Sequence, residues 1–531
     1  MKKRGRQYKF PEWIAVLLIT IIGALIRSYF VLQKDYPLND GGMFYTMIRD
    51  LQVAGFHLPA VTTYNNAQIP FAYPPLGFYI AGVLNSWFHI DLIQLLRFVP
   101  LFFSILTIPA FYWLANQLLD EKVQRIIVTG VFAVLPSAYT WQIMGGGLTR
   151  SIAYFLTILA LANILKWVRT KTWVDFIGVI LFTSLTALSH LEMLWMLLIS
   201  YIVIFIFRAR SWKHLLHFCF ICLSVVFLTS PWWGTVIAQH GLKVFFNAFG
   251  SGNFSILVPL ATLLYLTPNV NIVEVMISFL AIIGALFEFR KRRWFLPAWW
   301  LFFILFDPRS SLRSMVIPMA LLAGIALDVA LKWIGSFEYT RTHPVNQNVT
   351  DQNSLANPWV STSILLALFF AIFNNLFMMY SSGIRYFDTL NLENRIAMKW
   401  ISENTPTNSR FLVLDFPSAW STDSVGEWFP TLSLRTSILT AQGKEWLPNN
   451  EQGVLIGALS NVSKCGSLGV LCLEEWVNNN AMKYDFIYFT NNSQDKNWSS
   501  RFTSLLQYQI SMDPDFVLIY SNDDVQIYKY K

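Results

Sequence analysis

The sequence predicts a polytopic α-helical membrane protein of about 11–13 spans that ends in a small α/β domain. Three observations predict it. The 531 residues are 55% hydrophobic and only 13% charged, with a mean hydropathy of +0.45, too apolar for a soluble globular chain. Apolar runs of spanning or near-spanning length recur from residue 13 to residue 381. Beyond about Gly383 the runs shorten to strand length, and Asn, Asp, Ser and Thr become frequent.

The first run, Trp13 to Leu32, is interrupted only by Arg27 and matches the roughly 20 residues that cross about 30 Å of hydrocarbon. Its basic flank, "MKKRGRQYK", is expected to stay cytosolic. No small-residue cleavage site follows, so the run reads as an anchor rather than a cleaved signal peptide. Further runs lie at 74–88, 95–118, 126–144, 150–167, 174–189, 193–207, 215–231, 272–288, 294–306, 315–333 and 360–381. Basic loops at 166–171, 208–214 and 288–293 mark the cytosolic side. That places the first outer loop, 33–73, together with "GGGLTR", "SHLE", "DPRSSLR" and a long 232–271 loop, on the opposite face. If "PPLGFYIAGVLNSWF" is a juxtamembrane or tilted helix, eleven spans result and the C-terminus lies outside; another choice gives thirteen.

Residues 1–382 thus form the membrane unit and 383–531 a soluble extracytoplasmic domain. There "RFLVLDF", "YDFIYFT" and "FVLIYSNDDVQIYKY" read as strands, the last as a hairpin around Asn522 and Asp523. "NLENRIAMKWISEN" and "RFTSLLQY" read as helices. The polar stretch 338–358 is expected to be a cytosolic linker. Cys465 and Cys472 are able to pair if their region is extracytoplasmic, whereas Cys219 and Cys222, in an apolar run, read as core. The net charge of +8 is spread over inter-helix loops and reports topology, so membrane lipids are partners and nucleic acid is not.

Chemistry concentrates at the outer face. Asp35 reads as a surface charge and Asp50 as the ion-pair partner of Arg49. Asp40 differs, because Gly41 and Gly42 behind it allow close approach of a ligand and a short amphipathic segment follows. Its carboxylate suits accepting a proton or holding a divalent cation. Tyr64, Tyr73 and Tyr79 suit either sugar stacking or an interfacial aromatic belt. His190 and Glu192 sit between two short apolar runs, where an ionisable residue is a functional candidate. Two apart, they reach one cavity only if the helix ends there; His190 also suits a cap to a neighbouring helix. Arg150, after a glycine triplet, suits either snorkelling or an approaching phosphate. Arg309 and Arg313 are four apart in an outer loop and form a fork for phosphate, unless Arg309 pairs with Asp307.

The predicted N-in topology, the long first outer loop with Asp40, and "YPPLGFYIAGVL" before an early helix together resemble the GT-C superfamily of polytopic glycosyltransferases. That superfamily includes protein O-mannosyltransferases, aminoarabinose transferases and oligosaccharyltransferases. The resemblance implies that Asp40 is the catalytic base or a metal ligand, with a second acidic residue near it. Glu192, beside His190, is the loose match to that second residue. A divalent cation (Mg or Mn), if one is used, would fall to Asp40 and Glu192. The resemblance also implies that outer-face basic residues, here Arg309, Arg313 and Arg150, meet the phosphate of the donor. "GEWFPTLSLRTSILTAQGKEW" follows in outline the oligosaccharyltransferase segment in which Trp-Trp-Asp-Tyr-Gly precedes a Gly-x-Arg turn, although the Trp-Asp-Tyr core is absent. With Tyr73, the residues Glu427, Trp428, Arg435 and Glu445 are then candidates for acceptor or sugar contact; a plain domain core accounts for the tryptophans equally well.

The function implied is transfer of a sugar from a polyprenyl-phosphate donor to a protein, lipid or polysaccharide acceptor, outside a bacterial or archaeal plasma membrane. The alternatives are a polytopic transporter or lipid flippase, and a non-catalytic membrane assembly protein. The absence of an internal repeat weighs against transport.

Overall fold

A computed structural model describes residues 11–250, 272–307, 310–342, 387–415, 420–490 and 505–531. The 360–381 run, the 343–358 part of the linker and Arg309 lie outside the described residues.

Among the described residues seven helices are long and apolar enough to cross a membrane: Glu12–Leu32, Leu92–Leu118, Gly147–Thr170, Leu191–Arg208, Trp212–His240, Ile272–Arg290 and Val316–Trp333. Leu76–Phe88, Trp173–Ala187 and Phe295–Phe306 are shorter apolar helices. At 1.5 Å per residue the 13 residues of Leu76–Phe88 reach about 20 Å, short of a full crossing. The 126–144 run does not form one span. Its helix is Lys122–Val134, ended by Pro136 and followed by turns, because the chain must deliver Gly145–Gly147 to a tight contact described below.

Two further corrections concern the helix Trp212–His240. It carries Pro231 inside it and continues nine residues past that proline, so residues 232–240 are helical and not loop. Its upper end, with Trp232 and Val236, packs against the 33–73 loop, and this tertiary burial overrides the proline as a stop. Cys219 and Cys222 are exposed on its outward face instead of core. A helix in lipid is apolar all round, so hydropathy does not say which side is packed.

The bundle has two distinct ends. At one, Glu12 pairs with Lys122 at 2.8 Å and Arg125 at 3.3 Å, and Lys332 pairs with Asp328 at 2.9 Å. At the other, the head end, the 33–73 loop meets the C-terminal region. Between them Arg27, fully buried, donates to the carbonyls of Gly23 (3.0 Å) and Ala133 (2.8 Å) and to Ser104 Oγ (3.2 Å). Internal acceptors of this kind make a charge at membrane depth tolerable.

Among the described residues the C-terminal region holds a five-stranded sheet of β1 (Arg410–Leu414), β2 (Thr436–Ser437), β3 (Phe486–Thr490), β4 (Phe516–Ser521) and β5 (Val525–Tyr530), in the order β2-β1-β3-β5-β4. β1 is parallel to β2 and β3, and β5 is antiparallel to β3 and β4. Alternate residues face opposite sides. Phe411, Val413, Phe486, Tyr488 and Ile527 bury against the 33–73 loop, while Leu412, Leu414, Ile487 and Phe489 bury under the helices Glu451–Leu468 and Val470–Asn480. Both faces are covered, which is why these strands read as unbroken apolar runs. Cys465 and Cys472 are disulfide-bonded.

The loop and the sheet also share backbone bonds. Asn39 N–H donates to Asp388 O at 2.7 Å, and Leu38 and Thr389 form an antiparallel bridge. At the β2 edge the Asn65 amide donates to Ser437 O (2.9 Å) and accepts from Ser437 N–H (2.7 Å), as a neighbouring strand would.

Candidate active site

Asp40 lies at the head end between the first helix and the helix Gly42–Val53. Its Oδ1 accepts the Gly146 N–H at 2.6 Å and its Oδ2 meets Arg150 Nη2 at 2.7 Å. The glycine triplet makes this seat. A Cβ on Gly145 would stand 1.9 Å from Asp40 O, and one on Gly146 2.4 Å from Asp40 Oδ2. The triplet thus receives a protein carboxylate at the start of the helix Gly147–Thr170, where N–H groups and the dipole favour negative charge. Gly41 takes φ +123°, open to glycine, and Gly42 abuts the backbone of Glu427 and Trp428. The close approach at Gly42 comes from the helix Ser424–Ser433, and at Gly41 from Gly145 and the Trp428 ring.

A second pair stands beside the first. The helix Trp173–Ala187 ends before Ser189, His190 is extended, and Leu191–Arg208 begins a new helix with Glu192 in its first turn. The break that would let His190 and Glu192 serve one cavity is therefore present. Glu192 Oε1 meets Arg313 Nε at 3.1 Å. Arg313 sits on the four-residue helix Ser311–Ser314, anchored by Asp307, which accepts from Ser314 Oγ and, at 3.3 Å, from Ser310 N–H. Burial raises the Asp307 carboxyl above the usual range, and Glu192 adds to that while Arg313 opposes it.

Trp141 joins the pairs. The guanidinium carbons of Arg150 and Arg313 each lie 5.3 Å from its ring centroid, within cation–π range. The result is a chain from Asp40 through Arg150, Trp141 and Arg313 to Glu192. Side-chain exposures of 18% for Asp40, 13% for Arg150, 20% for Glu192 and 25% for Arg313 leave the four charged members partly accessible.

By sequence the chain matches no protein-family model and no curated protein. By structure it is similar to the oligosaccharyltransferase of Archaeoglobus fulgidus, with a TM-score of 0.58 at 13% identity over 91% of this chain and 70% of that one. ArnT from Cupriavidus metallidurans, solved bound to undecaprenyl phosphate, gives a TM-score of 0.56 at 12% identity over 97% of both chains. The mycobacterial arabinofuranosyltransferase AftD gives 0.56 at 14% identity over 97% of this chain, which spans 40% of AftD. All three are GT-C glycosyltransferases. The chain has the GT-C fold.

In this GT-C fold the remaining candidates separate. Tyr73 is half-buried among Phe44 (5.0 Å between centroids), Trp446 (5.6 Å) and His190 (6.4 Å), which links it to the Glu192 break. Glu445 is adjacent to Trp446 and accepts from Gln452 at 3.2 Å. Tyr64 and Tyr79 spend their hydroxyls on Glu427 O (2.7 Å) and Phe56 O (3.0 Å), which ties them to the protein's own backbone. Trp428 is fully buried against Tyr36, as core. Arg435 does not join the group either. Its guanidinium donates to Ser402 O (3.0 Å), Thr405 O (2.5 Å) and Thr405 Oγ1 (3.1 Å), which caps the C-terminus of the helix Leu392–Asn404. Glu427 meets the Asp40 segment through Gly41 N–H at 2.8 Å.

The acids outside the site are also placed. Asp50 is not bound to Arg49; it accepts from Thr62 Oγ1 (2.6 Å), Thr63 N–H (2.9 Å) and Thr63 Oγ1 (2.7 Å), three nearby donors that fold the loop back. Asp35, exposed as expected, pairs with Arg395 at 2.5 Å.

Asp40 and Glu192, as arranged, do not fit a divalent cation. Each is matched by a guanidinium, so a cation would have to displace Arg150 or Arg313. Among the described residues no three His, Cys, Asp or Glu side chains are grouped to hold a metal. The archaeal oligosaccharyltransferase is also known in complex with zinc and sulfate.

Sequence reasoning missed Trp141 and the destination of the glycine triplet. Both lie in or just beyond the 126–144 stretch read as a span, and the useful signal was three consecutive glycines where a helix was expected to emerge.

Proposed function

We propose that the protein is a membrane glycosyltransferase that takes a sugar from a polyprenyl-phosphate donor and passes it to a hydroxyl or amide acceptor in a single inverting displacement. The fold supports the class. The observation that carries the residue roles is the Asp40–Arg150–Trp141–Arg313–Glu192 chain at the head end.

Asp40 takes the proton of the acceptor as the acceptor atom bonds to the anomeric carbon. The bond from that carbon to the phosphate oxygen breaks, and the electron pair leaves with the polyprenyl phosphate. Charge then develops on the phosphate, where Arg313 and Arg150, and Arg309 beyond the described residues, stabilise it. Their carboxylate partners hold the guanidiniums in place until the phosphate competes for them. Tyr73, His190, Glu445 and Glu192 border the acceptor side. No step is routed through a metal.

The head end lies outside the plasma membrane in this reading. Support comes from the basic residues at the other end, Lys122, Arg125 and Lys332, and from the Cys465–Cys472 disulfide, which suits an oxidising compartment.

The test is incubation of the purified protein in vesicles with a panel of radiolabelled decaprenyl-phosphate hexoses and pentoses, with loss of label from the lipid as readout. Turnover of one donor by the wild type and not by Asp40→Asn supports the reading. Equal turnover by both sinks the assignment of Asp40. Movement of intact donor across the vesicle without cleavage would favour a flippase.

A further inference from the structure

Glu427 lies 386 positions from Gly41 in sequence, yet its Oε1 accepts the Gly41 N–H at 2.8 Å, with a second bond from the Met43 N–H. These are the first and third amides after Asp40, at the open N-terminus of the helix Gly42–Val53, where donors otherwise lack partners. The surrounding bonds tie the same two backbones together. Tyr64 Oη donates to Glu427 O at 2.7 Å, Thr431 Oγ1 donates to Gly42 O at 2.8 Å, and Asn39 Nδ2 donates to Ser421 O at 2.9 Å. A Cβ on Gly42 would stand 2.7 Å from Glu427 O. Glu427 is 8% exposed and lies between the Asp40 segment and its own helix.

We propose that Glu427 is a positioning residue for Asp40: it fixes the backbone just after Asp40 from the C-terminal region, as a hydrogen-bond acceptor that needs no negative charge, so that Asp40 is presented to Gly146 and Arg150. This rests on the reading of Asp40 as the base. The charged and titratable groups facing Glu427 are Asp40 from its loop, Arg150 from the helix Gly147–Thr170, Tyr64 from the 33–73 loop and Asp423 at the cap of its own helix. Burial pushes the Glu427 carboxyl up to about 8, Asp40 adds to the shift, and the amide bonds and Arg150 oppose it.

Two variants separate acceptor from charge. Glu427→Gln keeps the side-chain oxygen; Glu427→Ala removes it. Hydrogen exchange on the full chain in detergent should show faster exchange of the peptide covering residues 39–47 in Glu427→Ala and wild-type exchange in Glu427→Gln. With the donor that the wild type turns over, Glu427→Ala should lose about 10- to 100-fold in kcat with KM within about twofold, and Glu427→Gln should keep most of kcat. Wild-type exchange in Glu427→Ala, or a Glu427→Gln enzyme as impaired as Glu427→Ala with a raised KM, overturns the proposal; the latter marks a contact residue. If Glu427→Ala fails to fold, Glu427→Gln decides: wild-type exchange over residues 39–47 with most of kcat retained supports the proposal, and faster exchange there with a lowered kcat overturns it. Failure of Asp40→Asn to abolish turnover tells against the base assignment instead, whatever Glu427 does.

Discussion

The Arg150 guanidinium and the Asp40 carboxylate, 110 positions apart in sequence, meet at 2.7 Å above a glycine triplet on which a Cβ at Gly145 or Gly146 would collide with Asp40. Asp40 is thus held by one charged and one backbone donor. Asp40→Asn keeps the shape and removes the proton acceptor, so transfer should fall by about 10²- to 10⁴-fold while expression and thermal unfolding stay at wild-type levels. A variant that is inactive only because it unfolds would not support the role.

Arg313 offers a different handle, because its Nε faces Glu192 while its guanidinium carbon lies 5.3 Å from the Trp141 ring centroid. Arg313→Lys keeps the charge but loses the planar fork. Donor KM should rise by about 10-fold in Arg313→Lys and more in Arg313→Ala. Trp141→Ala should weaken donor binding in the same direction, with Trp141→Phe closer to wild type. An unchanged donor KM across this series would remove the donor phosphate from Arg313.

The seat of Asp40 is testable by one methyl group. Gly146→Ala brings a Cβ within 2.4 Å of the carboxylate, and overpacking of this kind typically costs about 1–3 kcal/mol. We expect kcat/KM to fall by at least about 10-fold. Gly457→Ala is the control, since a Cβ there meets nothing within 4 Å on the helix Glu451–Leu468. It should leave turnover unchanged and stability unchanged or slightly higher.

Arg435 should behave as a cap. Arg435→Ala strands the Ser402 and Thr405 carbonyls and should lower stability by about 1–3 kcal/mol, measured by denaturant or thermal unfolding. The kcat of the folded fraction should stay at the wild-type value. A selective rise in acceptor KM at unchanged stability would reinstate Arg435 as a contact residue.

Much of this arrangement was legible in the residues. Apolar runs long enough to cross 30 Å, and strands buried on both faces, announce themselves by composition, as Trp13–Leu32, Arg410–Leu414 and Phe486–Thr490 do. Asp40, Arg150, Glu192 and Arg313 stood out because charge at a membrane face is costly to keep without a use. Their pairing did not show, since bonds across 110 or more positions leave no local pattern. The 215–231 run stopped short, because packing against the 33–73 loop carries the helix on to His240. Apolarity misled at Cys219 and Cys222, because a lipid-facing surface and a packed one have the same composition. Arg435, singled out through a motif outline, donates in the structure to the end of a neighbouring helix.

The side chain of Asn65 takes the place of a strand beside Ser437, 372 positions later in the chain. At synthesis rates of about 5–20 residues per second, the ribosome needs roughly 20–70 s to travel between them. For that interval the loop bearing Asp40 has left the membrane without its edge partner. The loop made first therefore completes its contacts last, and a nascent chain stalled before residue 427 would hold the partners of the Asp40–Arg150 pair while lacking the Glu427 and Ser437 contacts that close over the loop.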